Sequence, residues 1–291
     1  MINAVLRRMP LSTVFWLRRV FRRAEPLLGR FGMTAAGRTL DGRDPFDHIS
    51  GAGFRAISKT LRRNPYSLLQ VREIRQVLAR ERVHALMARN GTRRIERTGD
   101  RVVHNTLEYN LEGAMSAADQ DRPAIMINVA SAVERIQRNA AALDVLSIGP
   151  RSEIEIFALL AAGFSRDRIK ALDLFSYSPY VEIGDMHAMP FADGSFDLVF
   201  LGWVLSYSKD QAHVASQVLK VCRDRAVVVI AGDYSDETHV KPTFRGENTY
   251  MKNCDQLLQL FAGHVGQVFF RHDPDPPHSW MVMTAFEVRK P

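Results

Sequence analysis

From residue 144 to residue 288, short apolar runs of strand length alternate with segments of helical periodicity, and this alternation constrains the fold more than any other feature. Strands are expected at 144–148, 169–172, 180–183, 196–201, 226–231, 265–271 and 280–288, with helices at 153–162, 209–222 and 253–262. This is the pattern of an α/β fold, a doubly wound parallel sheet covered by helices. The last two strands are separated only by the Pro- and Asp-rich stretch 272–278. They should therefore form an antiparallel pair at a sheet edge.

The residues before this region differ in charge and periodicity. Residues 1–101 hold 22 Lys and Arg against 8 Asp and Glu, whereas the remainder holds 17 against 24. Such asymmetry fits a basic segment facing an acidic partner, and equally a solvated Arg-rich helical surface. Within 1–33, Val14, Trp16, Leu17, Val20, Phe21 and Leu28 recur at near-helical spacing among paired arginines. That segment suits an amphipathic helix docking on an anionic membrane surface, an organellar transit peptide, or a helix packed on the chain's own core. Residues 39–53 carry loop signals, 66–90 read as a long helix stopped by Gly91, 91–100 as an exposed turn, and 129–143 as a further helix. Three parts are expected: a basic amphipathic segment at 1–33, a mostly helical accessory or lid region at 34–128, and the α/β domain at 129–291.

With only Cys222 and Cys254, the chain offers neither a disulfide framework nor a zinc site, which suits a reducing cytoplasmic setting. No apolar run reaches the length of an ordinary transmembrane helix.

Chemistry concentrates where the expected strands end. Gly149 follows the first strand and leads at once into a helix, an arrangement that lets a nucleotide-like ligand approach backbone amides closely. Asp173 follows the next strand, 24 residues on, where a carboxylate can accept from both hydroxyls of a ribose. Asp185-Met186-His187 then precedes Asp193-Gly194-Ser195-Phe196-Asp197 and a further apolar strand.

Taken together, Val145-Leu146-Ser147-Ile148-Gly149, Asp173, Gly184-Asp185-Met186 and the run from Met189 to Asp197 resemble class I S-adenosylmethionine-dependent methyltransferases, in particular their small-molecule-modifying group. The resemblance covers about 143–288. It implies a seven-stranded Rossmann-like sheet whose last strand is antiparallel, and S-adenosylmethionine as cofactor. It further implies that Gly149 and its loop contact the methionine portion, Asp173 with Leu174 the ribose, and Asp185 with Met186 the adenine. Gly202 and Trp203 would border the methyl-transfer pocket.

Two features depart from that pattern. The loop reads Gly149-Pro150-Arg151-Ser152-Glu153 where relatives carry further glycines. Binding then requires Glu153 to face the cofactor's ammonium and Arg151 its carboxylate. In addition, 11 residues between Asp173 and Asp185 are too few for a crossover helix plus a strand, so a short loop at 175–179 is expected instead.

Asp193 and Asp197 read as turn and strand-start residues rather than ligand contacts. His187 and His213 are the candidates for a general base, and Tyr207, Asp233 and Tyr234 for an acceptor pocket at the carboxyl ends of the strands. His272, Asp273 and His278 lack metal-ligand spacing and read as a solvated hairpin loop, so no metal is expected. The expected function is methyl transfer to a small-molecule, glycan or lipid-linked acceptor. The alternatives are methylation of RNA, for which no recognition motif is present, and a catalytically inactive cofactor-binding scaffold.

Overall fold

The computed structural model describes residues 51–96, 122–208, 210–235 and 251–290. The chain divides into two compact units, Met1–Ser67 and Leu68–Pro291. In the first, α1 (Gly51–Arg63) is described, so the expected loop gives way to helix by Gly51. The segment 1–33 lies outside the described residues.

A 3-10 turn (Pro65–Gln70) spans the division between the units along the chain, and the second unit continues with α2 (Arg72–Asn90). Gly91 ends α2 as expected: at φ 65 it takes a left-handed conformation, and its N–H donates to the Met87 carbonyl. The following residues are not simply a turn, because β1 (Arg93–Arg94) pairs antiparallel with β4 (Phe175–Ser176). The single helix expected at 129–143 is instead α3 (Pro123–Ser131) and α4 (Glu134–Asn139) followed by a 3-10 turn. Pro123 occupies the first turn of α3, where its missing N–H costs nothing.

The remaining strands and helices run β2 (Val145–Ile148), α5 (Ile154–Ala161), β3 (Ile169–Asp173), β4, β5 (Glu182–Ile183), β6 (Phe196–Gly202), α6 (Gln211–Val221), β7 (Cys222–Asp233), α7 (Cys254–Gln259), β8 (Val265–His272) and β9 (Met281–Val288). Seven of these strands form one sheet in the order β5-β3-β2-β6-β7-β9-β8. All neighbours are parallel except β9, which runs antiparallel to both β7 and β8. The hairpin expected at the end of the chain is therefore present, with β8 outermost. As expected from the short spacing, no helix joins β3 to β5; β4 and turns fill the interval. Only Glu182 and Ile183 of the strand expected at 180–183 pair with β3.

Side chains alternate across this sheet, as a pleat requires. On β2, Val145 faces a core with Ala79 and Val83 of α2, Met126 of α3 and Phe157 of α5. Its neighbours Leu146 and Ile148 face the opposite core, with Val214 and Val218 of α6 and Leu257 of α7. Ser147 shares Val145's face and so lies under α5. That placement brings a polar strand residue within reach of the first turn of α5.

Candidate active site

The carboxyl ends of β2, β3, β5, β6 and β7 form one rim, and the residues singled out in the sequence gather along it. Gly149 leaves β2 at φ +72, a conformation that glycine takes without the clash a Cβ brings. A Cβ there would stand 2.0 Å from Cγ1 of Val204, so the approach of the β6 loop requires glycine at this position. Gly202 is equally enclosed: an added Cβ would meet the Met126 side chain at 2.5 Å.

Arg151 and Glu153 continue the loop, and the Glu153 side chain is already engaged within the protein. Arg151 sits at φ 28, and its backbone N–H donates to Oδ2 of Asp173 at 3.1 Å. Glu153 is fully buried; its carboxylate is held by the Arg82 guanidinium of α2, with Nη2 at 2.9 Å from Oε1, and by the Ser178 hydroxyl at 2.6 Å. The Glu153 N–H donates to the Tyr177 hydroxyl at 3.1 Å. Arg82 also stands over the Tyr180 ring. None of these partners was visible in the loop's own sequence, because Arg82 precedes Glu153 by 71 residues.

Asp173 ends β3 with only 6% of its surface exposed. Besides Arg151, the Phe175 N–H donates to it at 3.4 Å, yet burial dominates and pushes its carboxyl up to about 6. The adjacent Leu174 turns to the β1–β4 side, where it packs on Phe175 and accepts from the Ile95 N–H.

Asp185, just past β5, begins a chain of contacts. His187 Nδ1 lies 2.6 Å from Asp185 Oδ1, and His187 Nε2 lies 2.8 Å from the Ser208 hydroxyl. Burial opposes ionisation of Asp185, but hydrogen bonds and charge from His187 outweigh it and hold the carboxyl below its usual value. His213 Nε2 donates to the His187 carbonyl at 2.8 Å, with the two rings stacked at 6.3 Å. Both ring nitrogens of His187 thus have protein partners. Met186 packs into the core beside Met189.

On the other side of the rim, Trp203 follows β6 at φ 55 and donates from Nε1 to Asp233 Oδ1 at 2.9 Å. Arg122 lies over the Trp203 ring, 5.5 Å from its centroid, and reaches Asp233 at 3.4 Å. Tyr207 closes a short 3-10 turn after β6, and the Tyr234 ring leans on Trp280 beyond β7. Asp197 accepts from the Asp144 N–H and from Arg223, and Asp193 faces Lys220, so both support the fold as read from sequence. The 272–279 hairpin is closed by its own contacts, His272 Nε2 with the Ser279 hydroxyl and Asp275 bridging to Ser279.

Glu155 was not singled out in the sequence. It lies in the first turn of α5, 3% exposed, and accepts from the Ser147 hydroxyl at 2.6 Å through Oε1. Its Oε2 has no hydrogen-bond partner among the described residues and stands 3.8 Å from where a Cβ on Gly202 would be. Burial pushes the carboxyl up to about 7.

Residues 161–230 match the family described as a methyltransferase domain. No curated protein sequence matches the chain. Similar solved structures include the 1,6-didemethyltoxoflavin-N1-methyltransferase of Burkholderia thailandensis, at 11% identity and TM-score 0.49, covering 68% of this chain and 95% of that one. The N-methyltransferase NodS of Bradyrhizobium japonicum, solved with S-adenosylhomocysteine, is 12% identical at TM-score 0.49, covering 66% and 100%. Phosphoethanolamine N-methyltransferase 1 of Haemonchus contortus is 13% identical at TM-score 0.43, covering 67% and 50%.

The chemistry of the rim fits the cofactor of that family, S-adenosylmethionine, which presents a ribose diol, an adenine and an ammonium. Three carboxylates, Asp173, Asp185 and Glu155, lie at or beside successive strand ends. A largely buried carboxylate with one oxygen open among the described residues is the kind of group that a bound ammonium satisfies.

Proposed function

We propose, on the methyltransferase-domain match over residues 161–230, that the chain is a class I S-adenosylmethionine-dependent methyltransferase and that it methylates a small-molecule, glycan or lipid-linked acceptor. The observation supporting this reading is the convergence of Gly149, Asp173 and Asp185 on the carboxyl ends of β2, β3 and β5, beside the Trp203 turn at the end of β6. When bound, the cofactor supplies a methyl group made electrophilic by its sulfonium. The chain's own part is then positioning and exclusion of water, which together provide much of the acceleration in a transfer of this kind.

In this reading Asp173 receives the ribose hydroxyls after its bond from Arg151 opens, while His187 holds the Asp185 carboxylate towards the adenine edge. Gly202, Trp203, Tyr207, Asp233 and Tyr234 border the acceptor. Trp203 and Arg122 give that wall a flat aromatic face with a cation above it, suited to a polar acceptor carrying a ring or an anionic group. Calorimetric titration with S-adenosylmethionine and S-adenosylhomocysteine tests the reading, and binding of neither overturns it. An RNA acceptor predicts retention on RNA that falls steeply with salt.

A second reading, cofactor binding without catalysis, is favoured by one observation: the loop after Gly149 is drawn onto Asp173 and Arg82 rather than left open. Methyl transfer to any acceptor from a metabolite extract eliminates it.

For the basic segment 1–33 we propose reversible contact with an anionic membrane surface by a cytoplasmic protein, since its six net positive charges and Trp16 and Phe21 suit such a surface. No helix among the described residues is long and apolar enough to cross a membrane. Salt-sensitive co-sedimentation with anionic vesicles, lost on removal of 1–33 from a chain that still folds, is the expected result. Retention by the shortened chain would overturn the proposal.

A further inference from the structure

Glu155 has a position that neither packing nor catalysis by the loop accounts for. Its side chain is almost wholly withdrawn from solvent, yet no cation among the described residues pairs with it. One oxygen takes the Ser147 hydroxyl, and the other, beside the Gly202 backbone, takes nothing among the described residues. Asp173 is the charged group whose field reaches it, and as a like charge it adds to the need for a cation. A buried carboxylate in such surroundings is costly to ionise until a cation arrives.

We propose that Glu155, and not Glu153, receives the ammonium of the cofactor's amino-acid end, with Ser147 as the residue that positions its carboxylate. The inference rests on the methyltransferase reading above. Three observations carry it. First, Glu153 is already committed to Arg82 and Ser178, and a ligand would have to break that pair to use it. Second, Glu155 lies two residues further along, where the helical rotation of about 200° turns its side chain from the α2 side towards the strands. Third, its open oxygen lies between Ser147 on β2 and Gly202 at the end of β6, the two strands whose ends flank the glycine turn at Gly149. The ammonium would bring up to three donors to an oxygen that has none.

The test compares two ligands, S-adenosylhomocysteine, which carries the ammonium, and 5′-methylthioadenosine, which lacks the whole amino-acid end. In the Glu155→Gln variant, affinity for S-adenosylhomocysteine should fall about tenfold or more, the scale of a charge-assisted hydrogen bond in a buried site. Affinity for 5′-methylthioadenosine should change less than about twofold, a difference too small to involve a lost charged contact. Because Gln can still accept from Ser147, folding should be preserved, and thermal denaturation checks this. Ser147→Ala provides a second variant, expected to show a smaller loss with the same selectivity. Equal losses for both ligands, or unchanged affinity for S-adenosylhomocysteine, would overturn the assignment of Glu155. If the unaltered protein binds neither ligand, the methyltransferase reading itself fails, and this inference falls with it.

Discussion

The Arg82 guanidinium of α2 spans both carboxylate oxygens of the fully buried Glu153 and so fastens the α2 helix to the turn after β2. Removing the cation alone would leave an unpaired charge in the core. Arg82→Ala should therefore destabilise the fold by about 2–4 kcal/mol, measured by urea denaturation. Replacing both residues with Met should recover most of that loss, because the isolated charge is then gone. A single variant as stable as the parent would show that Ser178 alone satisfies Glu153.

Burial sets the pH response of Glu155. Its carboxyl has an ordinary value of 4.5 and lies at about 7 in the folded chain, so its contribution to stability is fully present below pH 4.5 and is lost as pH rises through 7. Glu155→Gln removes this penalty. The variant should match the parent near pH 4 and exceed it at pH 8 by up to about 3 kcal/mol, the scale of a shift of this size. Parallel stability curves across that range would contradict the assigned environment.

His187 controls the ionisation of Asp185 through its ring and its backbone N–H. In His187→Ala the carboxyl should titrate at a higher pH than in the parent, as read by carbon NMR of the Asp185 side chain. Weaker cofactor binding at mildly acidic pH should accompany the shift. An unmoved Asp185 titration would show that the backbone bond suffices.

At Gly149, both the left-handed backbone and the Val204 side chain exclude a Cβ. Gly149→Ala should cost about 1–3 kcal/mol, from the positive φ and the clash together. Adding Val204→Ala should return only the steric part, which a double-mutant cycle measures.

Asp173→Ala should weaken cofactor binding by about 1–3 kcal/mol if the ribose diol bonds to this carboxylate. Calorimetry at pH 8, where the residue is ionised, is the appropriate measurement. Unchanged affinity would leave Asp173 as a tether for the Arg151 loop alone.

Local pattern determined much of this protein. Strands such as 144–148 and 196–201, the stop at Gly91 and the turn residue Asp193 were legible because apolar runs, left-handed glycine and turn chemistry act within a few residues. The pairing of the last two strands was legible for the same reason, since too little chain separates them for anything but a hairpin. Where two helices meet a kink, as at Ala132 and Val133 between α3 and α4, apolar periodicity alone did not reveal the break. The two-residue pairing of β1 with β4 was also hidden, because it joins segments about 80 residues apart. The division of labour between Glu153 and Glu155 belongs to the tertiary structure for a like reason. The sequence shows two acids two residues apart, and only their different directions on one helical turn decide that one meets Arg82 while the other keeps an open oxygen beside Gly202. Local chemistry placed Asp173 and Asp185 at strand ends; contacts between distant segments determined that Glu153 is paired with Arg82 while Glu155 has no cation partner among the described residues.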